Sequence, residues 1–127
     1  MIAVDTSALM AVILGEAEAD ACIAALEAEG AVVISAATVA EAMIVAGRRN
    51  VAAEMTALID NLAFEVIAVS PASAKRIAGI YQRWGKGVHP AGLNFGDCFS
   101  YDVAKEHACP LLFVGNDFSR TDLVSVL

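Results

Sequence analysis

Short apolar runs alternate along the chain with longer segments whose apolar residues recur at helical spacing. Ile2 to Val4 reads as a short buried strand and Val32 to Ile34, Phe64 to Val69 and Leu111 to Val114 as further strands, with Leu123 to Leu127 as a last short one. Thr6 to Leu14 predicts a short helix that Gly15 can end. Ala17 to Glu29 predicts a second: Ala21, Ala24, Ala25 and Ala28 share one face, Glu16, Glu18 and Asp20 favour its N-terminal dipole, and Gly30 follows it. Ser35 is placed to cap a helix carrying Ala40, Glu41, Ile44 and Val45, and Asn50 to cap another that runs through Leu62. Ser70-Pro71 starts a helix over Ala72 to Trp84, because proline at the first helical position needs no amide partner. The loop Gly85 to Pro90 is the internal stretch expected to be most mobile. Asn94 then caps a helix from Phe95 to His107, and Pro110 follows its end. Strands alternating with helices predict an α/β fold with a central, mostly parallel sheet flanked by helices.

The length of 127 residues fits one domain over residues 1–127, long enough to bury a core without disulfides or a structural metal. Apolar residues make up 58% and charged residues 18%, with 26 alanines, a composition that favours close helix packing and an apolar face able to pair with a second copy. Cys22, Cys98 and Cys109 are odd in number and lack metal spacing, so they read as small core residues. No export signal or membrane-length apolar run is visible, and the expected location is the cytoplasm. A net charge of −7 disfavours non-specific binding to a polyanion, so a nucleic-acid enzyme of this composition needs local compensation. Divalent cations would supply it, helped by Lys75, Arg76, Arg83 and Lys86, four of the eight cations, which otherwise form a solvated helix face.

The candidate chemistry lies in four acids at strand ends, helix starts and turns: Asp5, Glu41, Asp97 and Asp117. In a parallel sheet the strand carboxyl ends share one edge, where distant residues converge into a crevice. Hard cations such as Mg2+ prefer carboxylate oxygens and keep several waters, so one or two direct ligands suffice. Asp5 and Asp97 are the expected direct ligands, with Glu41 and Asp117 completing the set. A cation held there activates water and stabilises charge on a phosphodiester, which is hydrolytic nuclease chemistry. Singly, Asp5 serves equally well as a helix cap and Asp97 as a first-turn residue, and Asp117 is an ordinary turn residue. Glu41 lies among Val39, Ala40, Ala42, Met43 and Ile44, where a carboxylate is expensive to bury without a partner.

Ser7 is a candidate for holding metal-bound water or phosphate, though bonding to nearby backbone is its commoner use. Asn116 either orients Asp117 or serves only its turn. Asp102, five residues past Asp97, is turned off that helix face, and Thr121 with Asp122 reads as a local cap. His89 in its loop is able to touch substrate, whereas His107 complements a helix dipole. Trp84 offers a surface for an RNA base but is more readily explained by packing.

Four ordered blocks carry a family resemblance: Val4-Asp5-Thr6-Ser7-Ala8-Leu9, Ser35-Ala36-Ala37-Thr38-Val39-Ala40-Glu41, Asn94-Phe95-Gly96-Asp97-Cys98-Phe99-Ser100-Tyr101, and Gly115-Asn116-Asp117-Phe118-Ser119-Arg120-Thr121-Asp122. With them the sequence resembles the PIN-domain ribonucleases, specifically the VapC-type toxins of bacterial type II toxin–antitoxin pairs, over nearly the whole chain. The resemblance implies a Mg2+- or Mn2+-dependent endoribonuclease that inhibits translation, with Asp5, Glu41, Asp97 and Asp117 as its acidic set. It also implies a homodimer and a VapB-type antitoxin that inserts a basic residue among the acids and itself binds operator DNA. A haloacid-dehalogenase-like phosphatase would want an aspartate where Ser7 stands, and a receiver domain a phospho-acceptor aspartate near Val69-Ser70. The remaining alternative is a non-catalytic PIN-like module that binds RNA or protein.

Overall fold

A computed structural model describes residues 1–127. In chain order the elements are β1 (Ile2–Val4), α1 (Thr6–Leu14), α2 (Ala19–Ala28), β2 (Val32–Ser35), α3 (Ala36–Arg48), α4 (Ala52–Asn61), β3 (Glu65–Ile67), α5 (Pro71–Trp84), α6 (Phe95–Glu106) and β4 (Leu111–Leu112). The four strands form one sheet in the order β3-β2-β1-β4, and every pairing is parallel. All strand carboxyl ends therefore share one edge, with β1 and β2 in the middle.

Strand residues alternate between two apolar layers, as the period of two requires. Ile2, Val4, Val32, Ile34 and Leu112 meet Leu9 and Met10 of α1, Cys22 and Leu26 of α2, Ala42 and Ala46 of α3 and Met55 of α4. Ala3, Val33, Leu111 and Phe113 face the opposite way, onto Ile77 and Trp84 of α5 and Cys98, Tyr101 and Ala104 of α6. β1, β2 and β4 are covered on both faces and so read as continuous apolar runs, whereas the edge strand β3 is largely exposed. The three cysteines are free, and burial pushes each thiol above its ordinary pKa, consistent with small neutral packing residues.

Local signals set most boundaries. Gly15 closes α1 at φ +63°, a left-handed conformation that costs glycine little. Ser70 and Ser73 form a reciprocal capping box at the start of α5, with Pro71 at its first position.

Several expectations need correction. Helix α2 starts at Ala19 rather than Ala17, β3 and β4 are shorter than the apolar runs that announce them, and the C-terminal segment contributes only a bridge, Leu111 to Ser125. Asn50 does not cap α4: it sits at φ +59° just beyond α3, and Val51 takes the cap position without a side-chain bond. The stretch Gly85 to Pro90 is tied down, because Lys86 and Leu93 bond Leu93 and Trp84 across its base while Val88 and His89 donate to the Gly85 carbonyl. Trp84 is buried and donates to the Tyr101 hydroxyl at 3.1 Å, so packing claims it.

Candidate functional site

Asp5 follows β1 directly, where the ladder continues through its amide to Leu112 at 3.0 Å. Asp5 is 4% exposed, and its carboxylate is held by three donors: Ser100 Oγ on Oδ1 at 2.6 Å, and the Ser7 amide and hydroxyl on Oδ2 at 3.0 and 2.7 Å. The same Ser7 hydroxyl accepts from the Val114 amide at 3.1 Å, linking β1 to the segment after β4. Ser7 thus bonds Asp5 and a backbone amide more than a hundred residues away, rather than the adjacent backbone alone.

Helix α6 packs on β1, β2 and β4 and brings Asp97 to the strand carboxyl ends. Asn94 and Asp97 cap one another: the Asn94 side chain accepts from the Asp97 amide at 2.8 Å, and Asp97 Oδ2 accepts from the Asn94 amide at 3.0 Å. Asp97 retains 8% exposure. Burial pushes its carboxyl up to about 7; the Asn94 amide works against this, and the charges of Asp5, Asp117 and Glu41 add to the rise. The field at Asp97 therefore draws on the other three acids that the sequence nominated.

Glu41 reaches this place from the second turn of α3, where the Thr6 hydroxyl donates to its Oε1 at 2.6 Å. Its other oxygen lies against Gly96, and a β-carbon at that glycine would overlap the carboxylate. Gly96 is what permits α3 and α6 to bring Glu41 and Asp97 together. Asp117 lies in the exposed turn after β4, and Asn116 contributes its main-chain carbonyl to Ser119.

No lysine, arginine or histidine pairs with any of these acids; the ion pairs join Met1 to Glu29, Arg76 to Asp102 and Glu106, and Lys105 to Asp122. No three of the side chains form a ready-made metal cage. A hard cation that keeps most of its waters does not need one, and hydrogen-bonded carboxylates with no counter-charge fit that demand. Asp102 turns away as its spacing requires, into a two-point bond with Arg76 at 2.7 and 3.1 Å. Thr121 caps locally as expected, donating to the Phe118 carbonyl at 2.7 Å and accepting from the Leu123 amide at 3.3 Å, whereas Asp122 corrects expectation and accepts from Tyr101 at 2.6 Å and Lys105 at 2.9 Å. His107 bonds the Val103 carbonyl in the last turn of α6, and His89 accepts from the Ala91 amide beside the Trp84 ring.

Sequence pattern alone does not single out Thr6 and Ser100, whose acceptors lie 35 and 95 residues away. The available signal is helical spacing, since Ser100 stands one turn beyond Asp97 on the face turned to the sheet.

Fold and site together define a parallel α/β protein that gathers carboxylates at the carboxyl ends of its strands. The PIN domain family model matches residues 2–124, and the chain belongs to that family. It is 39% identical over 126 residues to the VapC ribonuclease Mb0640 of Mycobacterium bovis, covering 97% of this chain and 96% of that protein. It is also 43% identical over 125 residues to ribonuclease VapC36 of Mycobacterium tuberculosis, covering 94% and 89%. Among solved structures, the sarcin-ricin loop cleaving toxin VapC20 of Mycobacterium tuberculosis superposes with a TM-score of 0.82 at 20% identity, covering 99% of this chain and 98% of that one. A toxin–antitoxin complex from Klebsiella pneumoniae gives 0.74 at 23%, covering 99% and 97%. At those identities the superpositions speak for the fold. No helix is long and apolar enough to cross a membrane.

Proposed function

We propose that this protein is the toxin of a type II toxin–antitoxin pair, a Mg2+- or Mn2+-dependent endoribonuclease that hydrolyses RNA phosphodiester bonds in the cytoplasm and so inhibits translation. The observation that carries this reading is the unneutralised carboxylate cluster, in which Asp97 is pushed up by burial and by Asp5, Asp117 and Glu41. Full-length similarity to VapC ribonucleases supports the same class.

Asp5 and Asp97 would hold the cation directly, with Glu41 and Asp117 beside them. The ion, when bound, supplies an activated water and charge stabilisation at the phosphodiester. The chain's own contribution is orientation. Ser100 and Ser7 fix both oxygens of Asp5, Asn94 fixes Asp97 and Thr6 fixes Glu41, so the carboxylates need little rearrangement to receive an ion. Ser7 and Asn116 are supporting residues in this reading, Ser7 through Asp5 and Asn116 through the turn that carries Asp117. A VapB-type antitoxin would neutralise the cluster with a basic side chain, and DNA would be contacted only through it. The active form is taken to be a homodimer. A non-catalytic PIN-like module would have no use for four carboxylates held without a counter-charge.

Total cellular RNA incubated with antitoxin-free protein in Mg2+, Mn2+ or EDTA, beside an Asp5→Asn, Asp97→Asn double variant, tests the proposal. Discrete fragments that need metal and vanish in the variant are expected. Equal cleavage by the variant, or cleavage undiminished in EDTA, would refute it.

A further inference from the structure

Beneath the acids, helices α3 and α6 meet through two buried hydroxyls. Thr38 and Ser100 are each 1% exposed, and their oxygens lie 3.4 Å apart. Thr38 stands three residues before Glu41 on α3, and Ser100 three residues after Asp97 on α6. About one turn away along the same contact, Glu41 lies against Gly96. The hydroxyl pair therefore ties together the two helices that bring Glu41 and Asp97 to Asp5. Both side chains are sealed inside the protomer, so their contact does not depend on what covers the outer faces of these helices.

We infer that Thr38 is a positioning residue for the metal site: its hydroxyl donates to Ser100 and thereby aims the Ser100 proton at Asp5. The inference rests on the reading of Asp5 as a ligand of Mg2+ or Mn2+. Proton count sets the direction of the chain. A serine hydroxyl has one proton and two lone pairs, and a carboxylate only accepts. Ser100 directs its proton to Asp5 Oδ1 at 2.6 Å, so in the contact with Thr38 it is the acceptor and Thr38 the donor. Ser100 is also the sole hydrogen-bond partner of the Thr38 hydroxyl, and no buried side-chain oxygen is left without one. Packing alone gives no reason for a hydroxyl at position 38, because valine has nearly the same shape and no polar group to desolvate. The Thr38 link is the longer of the two, so it steers the Ser100 oxygen more than it adds stability. Steering matters because a serine within a helix commonly turns its hydroxyl onto the carbonyl of the preceding turn. Thr38 holds that hydroxyl toward Asp5 instead, and successive bonds in such a chain strengthen one another.

The test measures Mn2+ binding without RNA, from the electron paramagnetic resonance signal of the free ion, to full-length, antitoxin-free protein. Wild type is compared with Thr38→Val, Thr38→Ser, Ser100→Ala and the Thr38→Val, Ser100→Ala pair, with the Asp5→Asn, Asp97→Asn double variant as the blank. Melting of each metal-free protein in EDTA is followed by circular dichroism. Thr38→Val is expected to weaken Mn2+ binding roughly 10-fold, the lower end of the range for a group behind a metal ligand, while melting close to wild type. Thr38→Ser keeps the hydroxyl and loses a buried methyl, so it should melt below wild type and bind Mn2+ as wild type does. A role in packing alone cannot separate the two readouts in this way. Once Ser100→Ala has broken the chain, adding Thr38→Val should cost no further affinity. If Thr38→Val does not fold, Thr38→Ala set against Thr38→Ser makes the same comparison, since the two differ only in the hydroxyl. Equal Mn2+ affinity in wild type and Thr38→Val, or an equal loss in Thr38→Val and Thr38→Ser, overturns the positioning role and leaves the metal site standing. Wild type that binds Mn2+ no better than the blank overturns the metal site and this inference with it.

Discussion

Replacing Asp97 with asparagine should stabilise the metal-free protein at pH 8 while abolishing most of its cleavage. The folded protein holds the Asp97 carboxyl at about 7 against 3.8 in the ordinary state. Between those values the folded protein keeps a proton that the unfolded chain has released, so its stability falls as pH rises through that window. At 1.36 kcal/mol per pH unit the full gap is worth about 4 kcal/mol; screening by solvent near the partly accessible carboxyl reduces this to about 2 kcal/mol. For a chain of this length that is about 8 °C of melting temperature. An asparagine at position 97 carries no charge and keeps an oxygen for the Asn94 amide, so the penalty disappears without loss of the helix cap. Urea unfolding followed by far-UV circular dichroism in EDTA, at pH 5.5 and pH 8, reads both effects. Wild type should be less stable at pH 8 than at pH 5.5, and Asp97→Asn should show little difference between the two. Saturating Mn2+ should recover stability in wild type, more at pH 8 than at pH 5.5, and should leave Asp97→Asn nearly unmoved. Wild-type stability that is flat across this range, or an Asp97→Asn protein less stable than wild type at pH 8, would refute the electrostatic account of the cluster.

Other perturbations separate the supports of the site from the site itself. Ser100→Ala removes a donor from the buried Asp5 carboxylate and should cost about 1–3 kcal/mol, while raising the metal concentration needed for half-maximal cleavage; an unchanged metal titration would exclude a role in orienting Asp5. Gly96→Ala should displace Glu41 and lower the cleavage rate by about 10²-fold with helix content intact, as circular dichroism and end-labelled RNA assays would reveal. Tyr101→Phe breaks the chain from Trp84 through Tyr101 to Asp122, which fastens the segment after Asp117 to α6. A loss of about 1–2 kcal/mol in urea unfolding is expected, with a smaller fall in rate than at Ser100.

The strand–helix alternation, the caps at Ser35, Ser70 and Asn94 and the left-handed stop at Gly15 were legible in the sequence because each depends on neighbours within a few residues. So was the parallel α/β class, since strands buried on both faces are short, apolar and separated by helical segments. The four acids could be nominated for a related reason: a parallel sheet places its strand ends along one edge whatever the strand order. The order β3-β2-β1-β4 was not written locally, nor was the reduction of Leu123 to Leu127 to one bridge, because pairing depends on which edge remains free after the helices have packed. The same holds for the partners of the acids. Ser100 reaches Asp5, Thr6 reaches Glu41 and Gly96 clears space for Glu41 only once α3 and α6 lie against the sheet. Trp84 and Phe95 illustrate the division: sequence pointed to Trp84 as an aromatic surface and passed over Phe95, while packing buried Trp84 in the core and left Phe95 exposed beside the acids. Local chemistry determined what each segment could be, and tertiary packing decided which polar groups met, because hydrogen bonds and charges act through distances that chain separation does not encode.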